Sequence, residues 1–155
     1  MRHAAVIGLC ATASMAVGAA QAGAPEARNP FHCSIAFQVS YDLVKAAQGA
    51  DSELARELHG RLVWQAFAAA RFPKAADSEA EAGALARQFS EDSDAGLAMA
   101  EACMRRQDAH PEFREARLEK QLRDGSEREP LSMRASLDGL KSVYLSAATA
   151  APGRD

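Results

Sequence analysis

The sequence predicts an all-α protein: a single small domain of four to five helices, stapled by one disulfide, that follows a cleaved signal peptide. Three observations lead to this fold class. The chain opens with a leader-like segment, apolar side chains recur at helical spacing through much of the remainder, and two cysteines are left once the leader is removed. Removal of residues 1–22 leaves 133 of the 155 residues, enough for one domain with one modest core.

The first segment, residues 1–22, has the three parts of a signal peptide. Arg2 and His3 supply a short positive start, and a weakly apolar run of 17 residues follows from Ala4 to Ala20. Ala20-Gln21-Ala22 then gives the small-x-small pattern that signal peptidase recognises, so cleavage is expected after Ala22. An uncleaved anchor is the weaker alternative, because a spanning helix needs about 20 strongly apolar residues. We therefore predict a periplasmic or secreted protein without a membrane span in its mature chain.

The charge of the mature chain is mildly acidic. Loss of Arg2 leaves 17 basic and 21 acidic residues, a net charge of −4. This balance gives no electrostatic basis for binding nucleic acid. The excess of Ala and of Arg over Lys is typical of a GC-rich bacterial genome and favours a Gram-negative periplasm.

The two remaining cysteines are Cys33 and Cys103, since Cys10 leaves with the leader. An even count in an exported chain predicts a disulfide. The bond would tie the first helix to a late one, and closing so long a loop stabilises by roughly 4 kcal/mol in the chain-entropy model. Free thiols, or a reactive or metal-binding pair, are weaker alternatives because no C-x-x-C spacing is present.

The first helix is predicted to start at Asn29-Pro30, with Asn as the N-cap and Pro at the first helical position, and to end at Gly49. A strand over 35–43 is the alternative, because large apolar residues alternate there. Helix is favoured by a polar stripe at helical steps, formed by Ser34, Gln38, Asp42, Lys45 and Gly49.

The second helix is predicted from a cap at Asp51 or Ser52 to a stop at Pro73. Glu57 and Arg61 form an i,i+4 pair on its polar side, worth a few tenths of a kcal/mol. Its apolar face is expected to carry two adjacent rows of apolar residues. The first row is Leu54, Leu58, Leu62 and Ala66, and the second is Val63, Phe67 and Ala70.

Three further helices complete the predicted domain. The third begins at Ser78, which forms a capping box with Glu81. The acidic stretch that follows caps a fourth over about Asp94–Gln107, and Pro111 starts a fifth that reaches about Arg123.

The domain organisation predicted from these elements has four parts. The chain past the fifth helix is strongly charged, and within it residues 131–147 could form a short amphipathic helix. The parts are a signal peptide (1–22), an N-terminal linker (23–29), a disulfide-linked helical domain (30–123), and a charged linker with a C-terminal extension (124–155).

No catalytic, cofactor-binding or metal-ligating residue is predicted. His32, His59 and His110 lack the spacing that places two ligands on one helical face. The acidic stretch "EDSDAG" fails as a calcium loop, because its Gly falls at position 5 rather than 6. Nucleophile elbows and phosphate-binding glycine loops are missing from the sequence.

These observations favour a non-enzymatic periplasmic interaction module, such as a chaperone, an inhibitor or an envelope-complex subunit. Its partner would be a protein of the cell envelope, and the charged helix Pro111–Arg123 would be exposed for it. The alternative is a small enzyme or ligand carrier whose site assembles from dispersed residues around His59, Trp64 and Glu57.

Overall fold

The computed structural model describes residues 25–70, 78–123 and 131–150. Helices are the only regular secondary structure in these ranges, so the predicted all-α class is confirmed for them, but the count of four to five helices is wrong. The predicted leader, the stop at Pro73 and the linker 124–130 lie outside the described residues. The six helices are α1 (Pro30–Gln48), α2 (Glu53–Ala70), α3 (Ser78–Glu91), α4 (Ser93–Ala109), α5 (Pro111–Arg123) and α6 (Met133–Ala150).

Helix α1 lies at the centre and contacts α2, α3, α4 and α6. It begins as predicted, with the Asn29 side chain accepting a hydrogen bond from the Phe31 N–H at 3.0 Å, and ends at Gly49, whose φ is 87°. The strand alternative over 35–43 is wrong. A helix with neighbours on several sides needs apolar residues around much of its circumference, which explains why its sequence also resembles a strand.

The predicted disulfide is confirmed. Cys33 of α1 and Cys103 of α4 are bonded, with their Cα atoms 5.6 Å apart, and both residues are buried. Phe37, Ala100 and Met104 belong to the same buried cluster. The bond therefore joins the two helices inside the apolar core.

Helix α6 explains the error in the helix count. It is 18 residues long and packs against α4, α1 and α2. Its buried Tyr144 hydroxyl lies 3.1 Å from the Ser40 hydroxyl of α1. Burial raises the pKa of Tyr144 above its usual range, and the hydrogen bond with Ser40 offsets part of that rise. Residues after 130 thus contribute to the same core as α1.

His32 links three parts of the chain near the start of α1. Its Nδ1 accepts a hydrogen bond from the Glu26 N–H at 2.9 Å, so its Nε2 carries the proton and donates to Glu81 of α3, also at 2.9 Å. Glu81, predicted as half of a capping box, therefore also joins α3 to α1.

Within the described ranges, none of the helices is both long and apolar enough to cross a membrane.

Candidate functional site at the junction of α2, α4 and α5

A single residue, His110, separates α4 from α5. His110 ends α4 in an extended conformation, with φ −83° and ψ 122°, and Pro111 begins α5. Proline disfavours helical geometry in the residue before it and suits the first position of the next helix. The sequence His110-Pro111 therefore sets the break between the two helices.

Most of α5 faces solvent. Seven of its thirteen residues are charged. Among its side chains whose exposure is described, Phe113 alone is buried and Arg117 alone is half-buried. These two side chains, one turn apart, attach α5 to α2 and α4.

Phe113 occupies an aromatic and cationic environment. The Trp64 ring meets it edge to face, with centroids 5.2 Å apart. The Arg61 and Arg117 guanidinium carbons lie 5.3 Å and 5.7 Å from the centre of the Phe113 ring. Trp64 also contacts His110, with ring centroids 5.3 Å apart. Edge-to-face and cation–π contacts of this kind each add about 0.5–1.5 kcal/mol to the effect of burying the rings.

The charged part of the junction centres on Arg61, which is only 1% exposed. Its Nε donates to Glu57 Oε1 at 2.8 Å, and its Nη1 lies 3.0 Å from Asp108 Oδ1. Arg117 Nη2 donates to the second Glu57 oxygen at 2.8 Å, and Arg117 Nη1 lies 3.7 Å from Asp108 Oδ1. Each carboxylate therefore bridges the two arginines, and the four charges sum to zero.

Two glutamines extend this network toward α1. Gln107 Nε2 donates to the Arg61 carbonyl at 3.0 Å and to Gln65 Oε1 at 2.9 Å. Gln65 in turn donates to the Pro30 carbonyl at 3.2 Å. Buried amides need such partners, since an unpaired one costs about 1–3 kcal/mol.

Arg117 also reaches the segment that precedes α6. Its Nη2 donates to the Leu131 carbonyl at 3.3 Å as well as to Glu57. This single side chain thereby connects α5 with α2 and with the start of the last helical segment.

The structure brings together two of the three residues suspected from the sequence. Glu57 pairs with both arginines, and Trp64 meets Phe113 edge to face. His59 lies on another face of α2, against Tyr41, with ring centroids 5.5 Å apart. At 100° per residue it is roughly 160° around the helix from Glu57, so the three residues do not share a site.

Arg61 was expected on an exposed polar side, and that expectation is wrong. The sequence held a signal for its burial: Leu54, Leu58, Arg61 and Gln65 repeat at steps of four, three and four residues, the pattern of a core-facing stripe. Polar side chains in such a stripe indicate a buried network. The partners on α4 and α5 that complete it could not be found from this spacing.

The junction connects three helices through polar contacts. All four charged groups lie in ion pairs, and the amide nitrogens of Gln65 and Gln107 both have acceptors. No cluster of three or more His, Cys, Asp or Glu side chains in the described ranges is arranged to hold a metal ion. The junction is suited to holding α5 in one orientation.

Comparison with known proteins adds no family to this description. The chain matches no family model, and no curated protein or solved structure matches it significantly. The functional proposal therefore rests on the contacts and exposure of the chain's own residues.

Proposed function

We propose that this protein is a non-enzymatic interaction module of the bacterial cell envelope that presents α5 to a protein partner. The observation that carries the proposal is the contrast within α5: its outer surface is open, while Phe113 and Arg117 hold its inner side at fixed points. A chaperone, an inhibitor and an envelope-complex subunit all need such a displayed surface.

The outer surface of α5 carries charges of both signs around one exposed apolar side chain. Leu118 is 59% exposed and lies among exposed Arg114, Glu115 and Glu119. Charges of both signs steer association and determine which partner fits, while a central apolar side chain supplies area to bury. The rigid mount favours binding because a helix held in place loses little conformational entropy when a partner engages it.

Export to the periplasm, or secretion, is the second part of the proposal. A buried disulfide between Cys33 and Cys103 supports an oxidising compartment, and residues 1–22 have the sequence of a cleaved leader. The intact mass of the protein from its native cells, purified without reductant, tests this. We expect the mass of residues 23–155 less two hydrogens, whereas the mass of the full chain would contradict cleavage.

The enzyme or ligand-carrier alternative has less support. It required His59, Trp64 and Glu57 to act together, and His59 lies away from the other two. Replacing His59 with alanine separates the two proposals, because a module that binds through α5 would keep its partner and its function.

Site-specific photo-crosslinking in the native cell envelope tests the role of α5. A photoreactive amino acid replaces Leu118, and the matched control replaces Leu145 of α6, which is 56% exposed. We expect a discrete protein adduct from position 118 and none from position 145. The purified partner should then bind at least tenfold more weakly to a Glu115→Lys, Leu118→Ser variant.

Two results would contradict the proposal. One is an absence of adducts from position 118 under conditions where the chain is folded and oxidised. The other is an equal yield of the same adducts from positions 118 and 145, which would indicate random collisions.

A further inference from the structure

We propose that His32 makes the attachment of the chain ahead of α1 dependent on pH. We call residues 25–29 the N-terminal segment. The uncharged imidazole of His32 holds this segment against the helices, and protonation of the ring releases it. The inference does not depend on the partner proposed for α5, because the hydrogen bonds of His32 are with the N-terminal segment and with α3.

The two ring nitrogens of His32 have different partners. Nδ1 accepts a hydrogen bond from the Glu26 N–H at 2.9 Å, and Nε2 donates one to Glu81, also at 2.9 Å. A backbone N–H can only donate, so the bond with Glu26 exists only while Nδ1 carries no proton. His32 is buried, and its ring therefore has little room to exchange these partners for water.

Protonation changes the two sides of the ring in opposite ways. A protonated imidazole donates from both nitrogens. At Nε2 the hydrogen bond to Glu81 is kept, and it becomes an ion pair between opposite charges. At Nδ1 the added proton faces the Glu26 N–H, so two donors meet and that hydrogen bond is lost. The link from α1 to α3 survives protonation, whereas the link to the N-terminal segment does not.

Few other contacts hold the N-terminal segment in place. The Asn29 N–H donates to the Glu26 carbonyl at 2.9 Å, but this turn lies within the segment itself. Ala27 packs against the core with only one methyl group. The start of α1 cannot follow the segment, because Cys33 is bonded to Cys103 of α4. The effect of protonation is therefore confined to the residues ahead of α1.

The charge of Glu81 and the direction of α1 act on the protonated ring with opposite signs. Among the described residues, Glu81 is the only carboxylate within ion-pair distance of His32, and it attracts the protonated ring. The positive end of the α1 dipole repels a cation, because His32 lies in the first turn of that helix.

The other elements around the start of α1 present uncharged or exposed groups there. Helix α6 meets α1 at Ser40, about two turns farther along. The groups nearest the start of α1 from the remaining elements are Gln65 of α2, the Cys103 sulfur of α4, and the exposed Glu26 and Arg28 side chains of the N-terminal segment.

The direction of the pH dependence follows from the ring. Histidine changes its charge between about pH 5 and pH 8. The N-terminal segment is therefore expected to be attached at the upper end of this range, where Nδ1 is free to accept, and released at the lower end.

Nuclear magnetic resonance of the isotope-labelled, oxidised protein tests the proposal over this pH range. The ring signals report when each histidine takes up its proton, and backbone relaxation reports the order of the N-terminal segment. We expect the order parameters of Glu26, Ala27 and Arg28 to fall from about 0.85, typical of rigid backbone, to below about 0.6. The fall should have the same midpoint as the titration of His32. His59 and His110, which are exposed, serve as internal controls.

Two substitutions separate the two links of the ring. His32→Asn places an amide oxygen near the position of Nδ1, and this oxygen does not titrate, so the N-terminal segment should stay ordered at every pH tested. His32→Gln reaches the position of Nε2 and can still donate to Glu81, but it lacks the acceptor for Glu26. The segment should then be released throughout. Circular dichroism checks that both variants are folded, and the wild-type titration stands without them.

The proposal is overturned if the N-terminal segment stays equally ordered while His32 takes up its proton, or if His32 remains uncharged down to about pH 5. A loss of order that follows the titration of His59 or His110 instead would also overturn it. So would release in His32→Asn at the same pH as in wild type, because another group would then be responsible. A segment that stays ordered in His32→Gln would show that the ring does not hold it.

Discussion

Helix α4 is held by two junctions of opposite character, only one turn apart. At Cys103 and Met104 it meets α1 through apolar side chains and a disulfide, and these residues are fully buried. At Gln107 and Asp108 it meets α2 and α5 through amides, carboxylates and arginines. The first junction removes apolar area from water, whereas the second replaces water by charged partners inside the protein.

The comparison shows that apolar burial and ionic contacts differ in how well they fix the orientation of a helix. Apolar burial is non-directional, so the core around the disulfide requires volume more than orientation. Helix α5 has one buried aromatic side chain and cannot be aligned by area alone. Guanidinium and carboxylate groups bind in planar, directional pairs, and Arg117 therefore determines how α5 lies on α2.

The largest effect is expected from breaking the ionic junction at its centre. Arg61→Met removes a buried cation and leaves Glu57 and Asp108 facing Arg117 alone, which should lower the free energy of unfolding by about 3–5 kcal/mol. Urea denaturation followed by circular dichroism measures the loss. The matched control is Arg105→Met, whose partner Glu101 lies on the exposed side of the same α4; such pairs contribute about 0–1 kcal/mol.

The sole tryptophan reports where the damage occurs, because Trp64 contacts Phe113 and His110. In Arg61→Met its emission should shift to the red as α5 loosens. Equal destabilisation by Arg61→Met and Arg105→Met, with unchanged emission, would show that the network does not hold α5.

Breaking the apolar junction should cost slightly less. Cys33→Ala combined with Cys103→Ala removes the cross-link and should lower the free energy of unfolding by about 4 kcal/mol at most in the chain-entropy model. Trp64 emission should stay unchanged, because the disulfide does not orient α5. A red shift comparable to that of Arg61→Met would mean that the two junctions are one cooperative unit.

The smallest effects are expected from two glycine substitutions. They compare a closely packed position on a helix with one that has free space beside it. A Cβ at Gly96 would lie 2.5 Å from the Phe89 carbonyl oxygen and 2.9 Å from Tyr144 Cε1, whereas a Cβ at Gly60 meets nothing within 4 Å. Gly96→Ala should therefore destabilise by about 1–3 kcal/mol. Gly60→Ala should stabilise by up to about 1 kcal/mol, because alanine favours helix.

Thermal unfolding of the two glycine variants, measured beside wild type, tests whether their effects on stability have opposite signs. A rise in melting temperature for both would mean that α4 moves away from α3 and α6 far enough to admit a methyl group. A fall for both would mean that the surface of α2 around residue 60 is covered.

Features that depend on residues close together in the sequence were predictable from it. The Asn29 cap, the Gly49 end and the Pro111 start are decided within one turn of helix, and each lies where the residue types indicated. The Cys33–Cys103 bond was predictable for a different reason, since only one pairing exists once Cys10 is assigned to the leader. Glu57 and Trp64 lie at the junction of α2, α4 and α5, whereas His59 lies on another face of α2, against Tyr41.

The faces of α2 were decided only by the tertiary structure. Its sequence has apolar residues on two sides, and both Phe67 and Leu58 suit a core, yet Leu58 is buried and Phe67 is 72% exposed. Arg61 is buried because α4 brings the Asp108 carboxylate and α5 brings the Phe113 ring to it from far along the chain. Caps and periodicity act over one turn, whereas burial depends on what lies opposite, and that is determined only when the helices pack.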